Sequence, residues 1–255
     1  MKSISLYVEK QSFIHDIDPI SKLFYIFFAI AVPIILPSMK VTFICMLVSI
    51  ILLLMAKVIR KALPVFGFAL LVLVTVVLIQ GFFKAENETA LFHLGSFTFY
   101  KEGFVYGMLI TMRVINIVGA FMILVLTTKP SDLVEALVRR GLSPRIGYVL
   151  VSVFQIIPQM IATMGTITDA QRSRGMETEG KLSVRVKAFL PLLGPVVLNS
   201  LINTKERAMA LEVRGFNARG NKTYLYEEKK HSYSTVIQWG LMLLVVLAIV
   251  WRILG

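Results

Sequence analysis

Ala170-Gln171-Arg172-Ser173-Arg174-Gly175 and Ala210-Leu211-Glu212-Val213-Arg214-Gly215 are two copies of one phrase, forty positions apart. Both read Ala-x-x-x-Arg-Gly, and a large apolar residue follows each, Met176 and Phe216. Both close long stretches that read as helix. Glycine supplies the left-handed residue that ends a helix, and an arginine near that end complements the dipole and caps carbonyls. For an isolated Arg-Gly that would be the whole account. A matched pair in one register carries more. A helix terminus that presents a guanidinium can plug an acidic groove, since guanidinium pairs two-pronged with a carboxylate. Two such plugs suit a partner with two equivalent grooves, which means a dimer.

The surrounding turn signals set the helices. Pro130-Ser131-Asp132 reads as a helix start, with early proline, a capping hydroxyl and an acid in the first turn. Arg139, Arg140 and Gly141 end that short helix. Pro144 starts a second helix that runs to about Arg174, with Pro158 placed to bend it. Glu177 to Gly180 is a polar turn. A third helix begins near Leu182–Ser183 and runs to about Arg214, past Pro191 and Pro195. Arg139-Arg140-Gly141 and Arg219-Gly220 read as plain caps.

Outward from this region the chain is apolar. Its 255 residues are 56% hydrophobic, and the mean hydropathy is +0.76. A helix needs about 20 apolar residues to cross a bilayer, and several runs approach that. The runs do not alternate as barrel strands would. The fold class is therefore an all-α polytopic membrane protein with about five transmembrane helices. They are expected over Leu23–Leu36, Val41–Met55, Val65–Phe83, Phe104–Leu126 and Val236–Leu254, with Trp239 and Trp251 as interface anchors. Phe97-Thr98-Phe99-Tyr100 reads as a short strand or an interfacial aromatic patch. The organisation is then a membrane domain over 1–126, a cytoplasmic helical region over 127–232 and a last span over 233–255. Residues 1–21 read as an amphipathic lead-in that Pro19 ends.

Net charge is +12. Cytoplasmic loops carry excess Lys and Arg, so the Lys57/Arg60/Lys61 loop and residues 127–232 belong inside, and the acidic loop 84–103 outside. Five spans then alternate correctly with the N-terminus cytoplasmic. Ile146–Met164 and Ala188–Ile202 are marginal as spans. Counting both would put the basic segment Arg172–Lys187 outside, so they are placed at the interface. Nucleic-acid binding is disfavoured, because the basic residues lie between membrane segments without a recognition motif.

The pair of phrases resembles a known family, the transmembrane T component of energy-coupling factor (ECF) importers. In that family two short Ala-Arg-Gly motifs end the coupling helices, and each arginine enters a groove on one of two ATP-binding-cassette subunits. Carried over, the docking residues are Ser173-Arg174-Gly175 and Val213-Arg214-Gly215, with Ser173 and Val213 standing where alanine is usual. Ala218-Arg219-Gly220 spells the motif but lies outside the paired register. Glu102-Gly103, Arg113, Thr127-Thr128-x-Pro130, Ile157-Pro158 and Ala170-Gln171 extend the likeness over most of residues 100–220. The resemblance implies two ATPase subunits, identical or different, that hold ATP and magnesium, and one small substrate-specific membrane subunit. It also implies the cell membrane of a prokaryote and uptake of a vitamin, vitamin precursor or transition-metal ion.

Residues outside the two phrases add less. Arg113 falls inside the fourth span, where a charge must be paired or face a wet cavity; Gln80 and Asn116 are candidate supports. With Pro158, Ala170 and Ala210 it is expected to have a structural or coupling role. His15, His93 and His231 share no ligand spacing, and Cys45 is the single cysteine, so neither a metal site nor a disulfide is expected. No Gly-x-x-x-x-Gly-Lys-Ser/Thr occurs, so ATP is not expected to bind this chain through a P-loop. No catalytic constellation is visible, so no enzyme activity and no cofactor of its own is expected. Glu206, Arg207 and Glu212 read as a solvated face. The competing class is a secondary transporter or channel, which needs intramembrane ionisable residues and often an inverted repeat; only Arg113 qualifies.

Overall fold

The computed structural model describes residues 7–10, 12–83, 89–94, 97–176, 182–218 and 232–254. Among these the chain forms nine helices: α1 (Phe13–Asp16), α2 (Pro19–Ile35), α3 (Met39–Met55), α4 (Ile59–Phe83), α5 (Lys101–Thr127), α6 (Pro130–Arg139), α7 (Pro144–Ser173), α8 (Leu182–Val213) and α9 (Ser232–Leu254). One antiparallel hairpin, β1 (Ala90–Leu94) and β2 (Phe97–Tyr100), precedes α5. Contacts group α7 and α8 into one unit and the remaining elements into a larger one. Helix α6, which the sequence groups with residues 127–232, packs in the larger unit against α2.

In the larger unit α2, α3 and α4 all pack on α5. Lipid is as apolar as leucine, so helices in a bilayer associate through close backbone approach at small residues. Gly103 and Gly107 provide that approach. A Cβ at Gly103 would collide with the Gln80 carbonyl, and one at Gly107 would stand 2.9 Å from the Val77 Cα. Ile26, Ala29 and Ala120 join α2 to α5, and Val32, Cys45, Val245 and Ala248 join α2, α3 and α9. Hydrocarbon favours pairing of polar groups within the bundle, and several inside are paired, while Thr42 Oγ1 and Arg113 Nε are buried without a partner. Asn116, fully buried, donates to the Ala29 carbonyl at 2.8 Å and accepts from Ser49 Oγ at 2.6 Å. Tyr25 reaches the same serine at 2.6 Å.

The end of α5 shows how its orphan carbonyls are met. The Val8 amide donates to the Leu126 carbonyl at 3.0 Å. The Lys22 ammonium, buried at 4% exposure, donates to the Thr127 carbonyl at 3.2 Å and to Thr128 Oγ1 at 3.1 Å. A cation at a helix C-terminus also complements the dipole.

Among the described residues four helices are long and apolar enough to cross a membrane by length and composition: α4, α5, α7 and residues Tyr233–Leu254 of α9. Helices α2 and α3 are shorter apolar helices of 17 residues each. Thus α7, which the charge rule places at the interface, also meets the length requirement. Several boundaries differ from the sequence reading. Helix α4 starts at Ile59, six residues before Val65, so Arg60 and Lys61 form its first turn rather than a loop. The break before it is made by Lys57 in the left-handed region, φ 57°. Ser131 does not cap α6; Lys129 holds the N-cap position without a side-chain bond, and Ser131 donates instead to Asp132.

Candidate docking site

Helix α7 opens with Pro144 in its first turn behind Ser143, whose hydroxyl accepts from the Ile146 amide at 3.3 Å. It closes at Ser173, and Arg174 is the C-cap. Gly175 then takes φ +86°. The Gly175 amide donates to the Arg172 carbonyl at 2.9 Å, and the Met176 amide to the Gln171 carbonyl at 3.1 Å. Helix α8 closes in the same way. Gly215 takes φ +71°, its amide donates to the Glu212 carbonyl at 2.9 Å, and the Phe216 amide donates to the Leu211 carbonyl at 3.0 Å. Each ending is a Schellman closure, with glycine in the left-handed region and an apolar residue after it. The repeated phrase is therefore one repeated backbone structure, and Ala170 and Ala210 sit one turn before each end.

A third ending has the same geometry. Gly141 takes φ +113°, and the Leu142 amide donates to the Leu137 carbonyl at 3.1 Å. What separates the three is the arginine. Arg140 is exposed too, but it is paired within the chain: its guanidinium reaches Asp18 at 3.2 Å and Gln238 at 3.4 Å, joining α6 to α2 and α9. Ser173, Arg174, Gly175, Val213, Arg214 and Gly215 are all exposed, Val213 at 89%. Among the described residues neither Arg174 nor Arg214 makes a side-chain hydrogen bond or an ion pair. Arg219 and Gly220 lie outside the described residues, as does the Glu177–Gly180 turn.

The two ends sit at opposite tips of an antiparallel pair. Near the start of α7, the Tyr148 ring packs on the Phe216 ring beyond the end of α8, centroids 5.4 Å apart. Further along α7, Gln159 Oε1 accepts from Arg207 Nη2 at 2.8 Å. Around that bond Met160 and Thr163 face Asn203 and Ser200 across a small polar seam. Position numbers rise along α7 as they fall along α8, so Arg174 and Arg214 are held apart, by at most about 40 Å at 1.5 Å per helical residue. Arg207 therefore does more than decorate a solvated face; it clasps the two long helices. That pairing left no local signal, because its partner is 48 positions away.

Arg113 lies in α5 without the support expected of its neighbours. Asn116 is engaged with Ser49 and Ala29, and neither it nor Gln80 bonds to Arg113. Among the described residues no three of His, Cys, Asp and Glu converge.

Fold and site together define a class: a multi-pass helical membrane protein with a paired-helix unit that presents two capped arginine ends. A family model, CbiQ, described as a cobalt transport protein, matches residues 10–225. The chain is similar to the energy-coupling factor transporter transmembrane protein EcfT of Staphylococcus aureus (strain 04-02981), 28% identical over 236 residues, which cover 86% of this chain and 85% of that one. It is similar to the protein of the same description from Brevibacillus brevis, 31% identical over 241 residues and 88% of each chain. It resembles the one from Listeria innocua as well, 31% identical over 232 residues, 85% of this chain and 84% of that one. The chain belongs to the CbiQ family, the T components of energy-coupling factor transporters. It is a transmembrane transport subunit of a prokaryotic multi-subunit complex rather than a catalytic enzyme.

Proposed function

We propose that this chain is the energy-coupling membrane subunit of an ATP-driven importer for a vitamin, a vitamin precursor or a transition-metal ion. Two cassette ATPases, identical or different, hold ATP and magnesium and receive Arg174 and Arg214 in acidic grooves. Their closure moves the two tips, and α7 and α8 carry that motion to a separate substrate-binding membrane subunit. The N-terminus and the arginine ends face the cytoplasm, in keeping with the excess of Lys and Arg on that side.

One observation carries this reading. Among the described residues three helices end in the same Arg-Gly closure, and the two in the repeated phrase leave their exposed guanidiniums unpaired while the third pairs with Asp18 and Gln238. Fixed backbone behind a free guanidinium suits two-pronged pairing with a carboxylate. Placement at opposite tips suits a partner with two separated sites.

The test is co-purification from membranes in mild detergent. Arg174→Glu with Arg214→Glu is expected to remove both ATPases, a loss of at least about tenfold or 1.4 kcal/mol, with the chain still inserted. Each single variant is expected to lose part of the binding. Full retention of both ATPases by the double variant would refute the docking roles.

A further inference from the structure

We propose that Arg113 is an anchor inside the bilayer for an acidic side chain on a transmembrane helix of a partner membrane subunit. The proposal rests on the reading above that such a subunit sits beside this chain.

Arg113 lies twelve residues from Lys101 and fourteen from Thr127, near the middle of α5. At 1.5 Å per residue, that is about 18 and 21 Å from the helix ends. Long cationic side chains snorkel to the interface only near helix ends, so lipid headgroups are beyond its reach. Its Nε is buried with no hydrogen-bond partner. Its two terminal nitrogens are not buried, and they bond to nothing among the described residues. Arg113 is half-buried as a residue, with Nε inside the bundle and the unpaired terminal nitrogens at its edge.

Among the described helices packed on α5, no counter-charge stands beside it. The helices packed on α5, namely α2, α3 and α4, contain no Asp or Glu. Glu102 stands at the far end of α5, where Thr89 engages it through both its amide and its hydroxyl. The nearby amide of Asn116 is already committed to Ser49 and Ala29. An ionised side chain in a membrane is paired or faces water. A planar guanidinium in a low-dielectric setting pairs best with a carboxylate. At this depth that carboxylate has to come from another transmembrane segment.

The experiment uses the whole complex, expressed with its partner subunits and purified from membranes. Arg113→Met keeps length and apolar stem but removes the charge, and Arg113→Lys restores charge without the fork. The expectation for Arg113→Met is normal membrane insertion, normal ATPase recovery, and at least tenfold less of the partner membrane subunit. Arg113→Lys should recover a substantial part. A photo-crosslinking residue at Ile117, one turn along, should form an adduct with that subunit. Unchanged recovery with Arg113→Met overturns the proposal. So does joint loss of insertion and ATPases, which would make Arg113 an internal folding element, and so does a crosslink to lipid alone. A wild-type chain that brings ATPases but no membrane subunit would instead overturn the importer reading, and this anchor with it.

Discussion

A helix-capping arginine is one residue with two uses, and its neighbours decide which. Arg140, Arg174 and Arg214 share a backbone ending, yet Asp18 and Gln238 occupy Arg140. The consequence is testable. Arg140→Met should lower the thermal stability of the detergent-solubilised chain by about 1 kcal/mol or less, the cost of a lost charged hydrogen bond discounted for solvent screening at an exposed arginine. It should leave ATPase recovery unchanged. A loss like that of Arg174→Glu would erase the distinction between the three ends. At this scale the sequence was legible where the signal is local. Gly175 and Gly215 announce a left-handed closure by residue type alone, and the repeat singles out their arginines. Arg207, Lys22 and Asn116 were not legible in their actual roles. Their partners, Gln159, the Thr127 carbonyl and Ser49, are brought close only by tertiary packing.

Element boundaries divide along the same line. The ends of α7 and α8 were set within a residue or so, because proline, serine and glycine mark them chemically. The start of α4 was misplaced because its first turn holds Arg60 and Lys61, and charge at a membrane edge looks like loop. Packing between elements left fainter traces. The small stripe Gly103-x-x-x-Gly107 does not say which helix it faces, and the structure assigns it to α4. Gly103→Leu should drive α4 and α5 apart at the Gln80 carbonyl and cost roughly 1–3 kcal/mol, as overpacking does. A thermal unfolding series on the purified chain would read this as a fall in Tm. An unchanged Tm would mean that the two helices separate without loss.

For the whole molecule, class and membrane character followed from composition, while the antiparallel crossing of α7 and α8 did not. Two proline-bearing helices separated by only a few residues admit several crossing arrangements, and the choice is made by Tyr148 on Phe216 and Gln159 on Arg207. If motion passes through this crossing, fixing it should uncouple the transporter. Gln159→Cys with Arg207→Cys, joined by a short thiol crosslinker with buried Cys45 replaced by serine, should retain both ATPases. ATP-driven uptake should fall several-fold, and reductive release of a cleavable linker should restore it. Uptake that is indifferent to the crosslink would place the moving joint elsewhere. The crossing has a mechanical meaning too. Gln159 lies near the middle of α7, and the two arginine tips lie on opposite sides of it. Equal and opposite pushes on two such tips form a couple. A couple produces torque without net thrust, so a symmetric motor closing on this asymmetric chain would turn the helix pair about its polar seam rather than drive it into the bilayer.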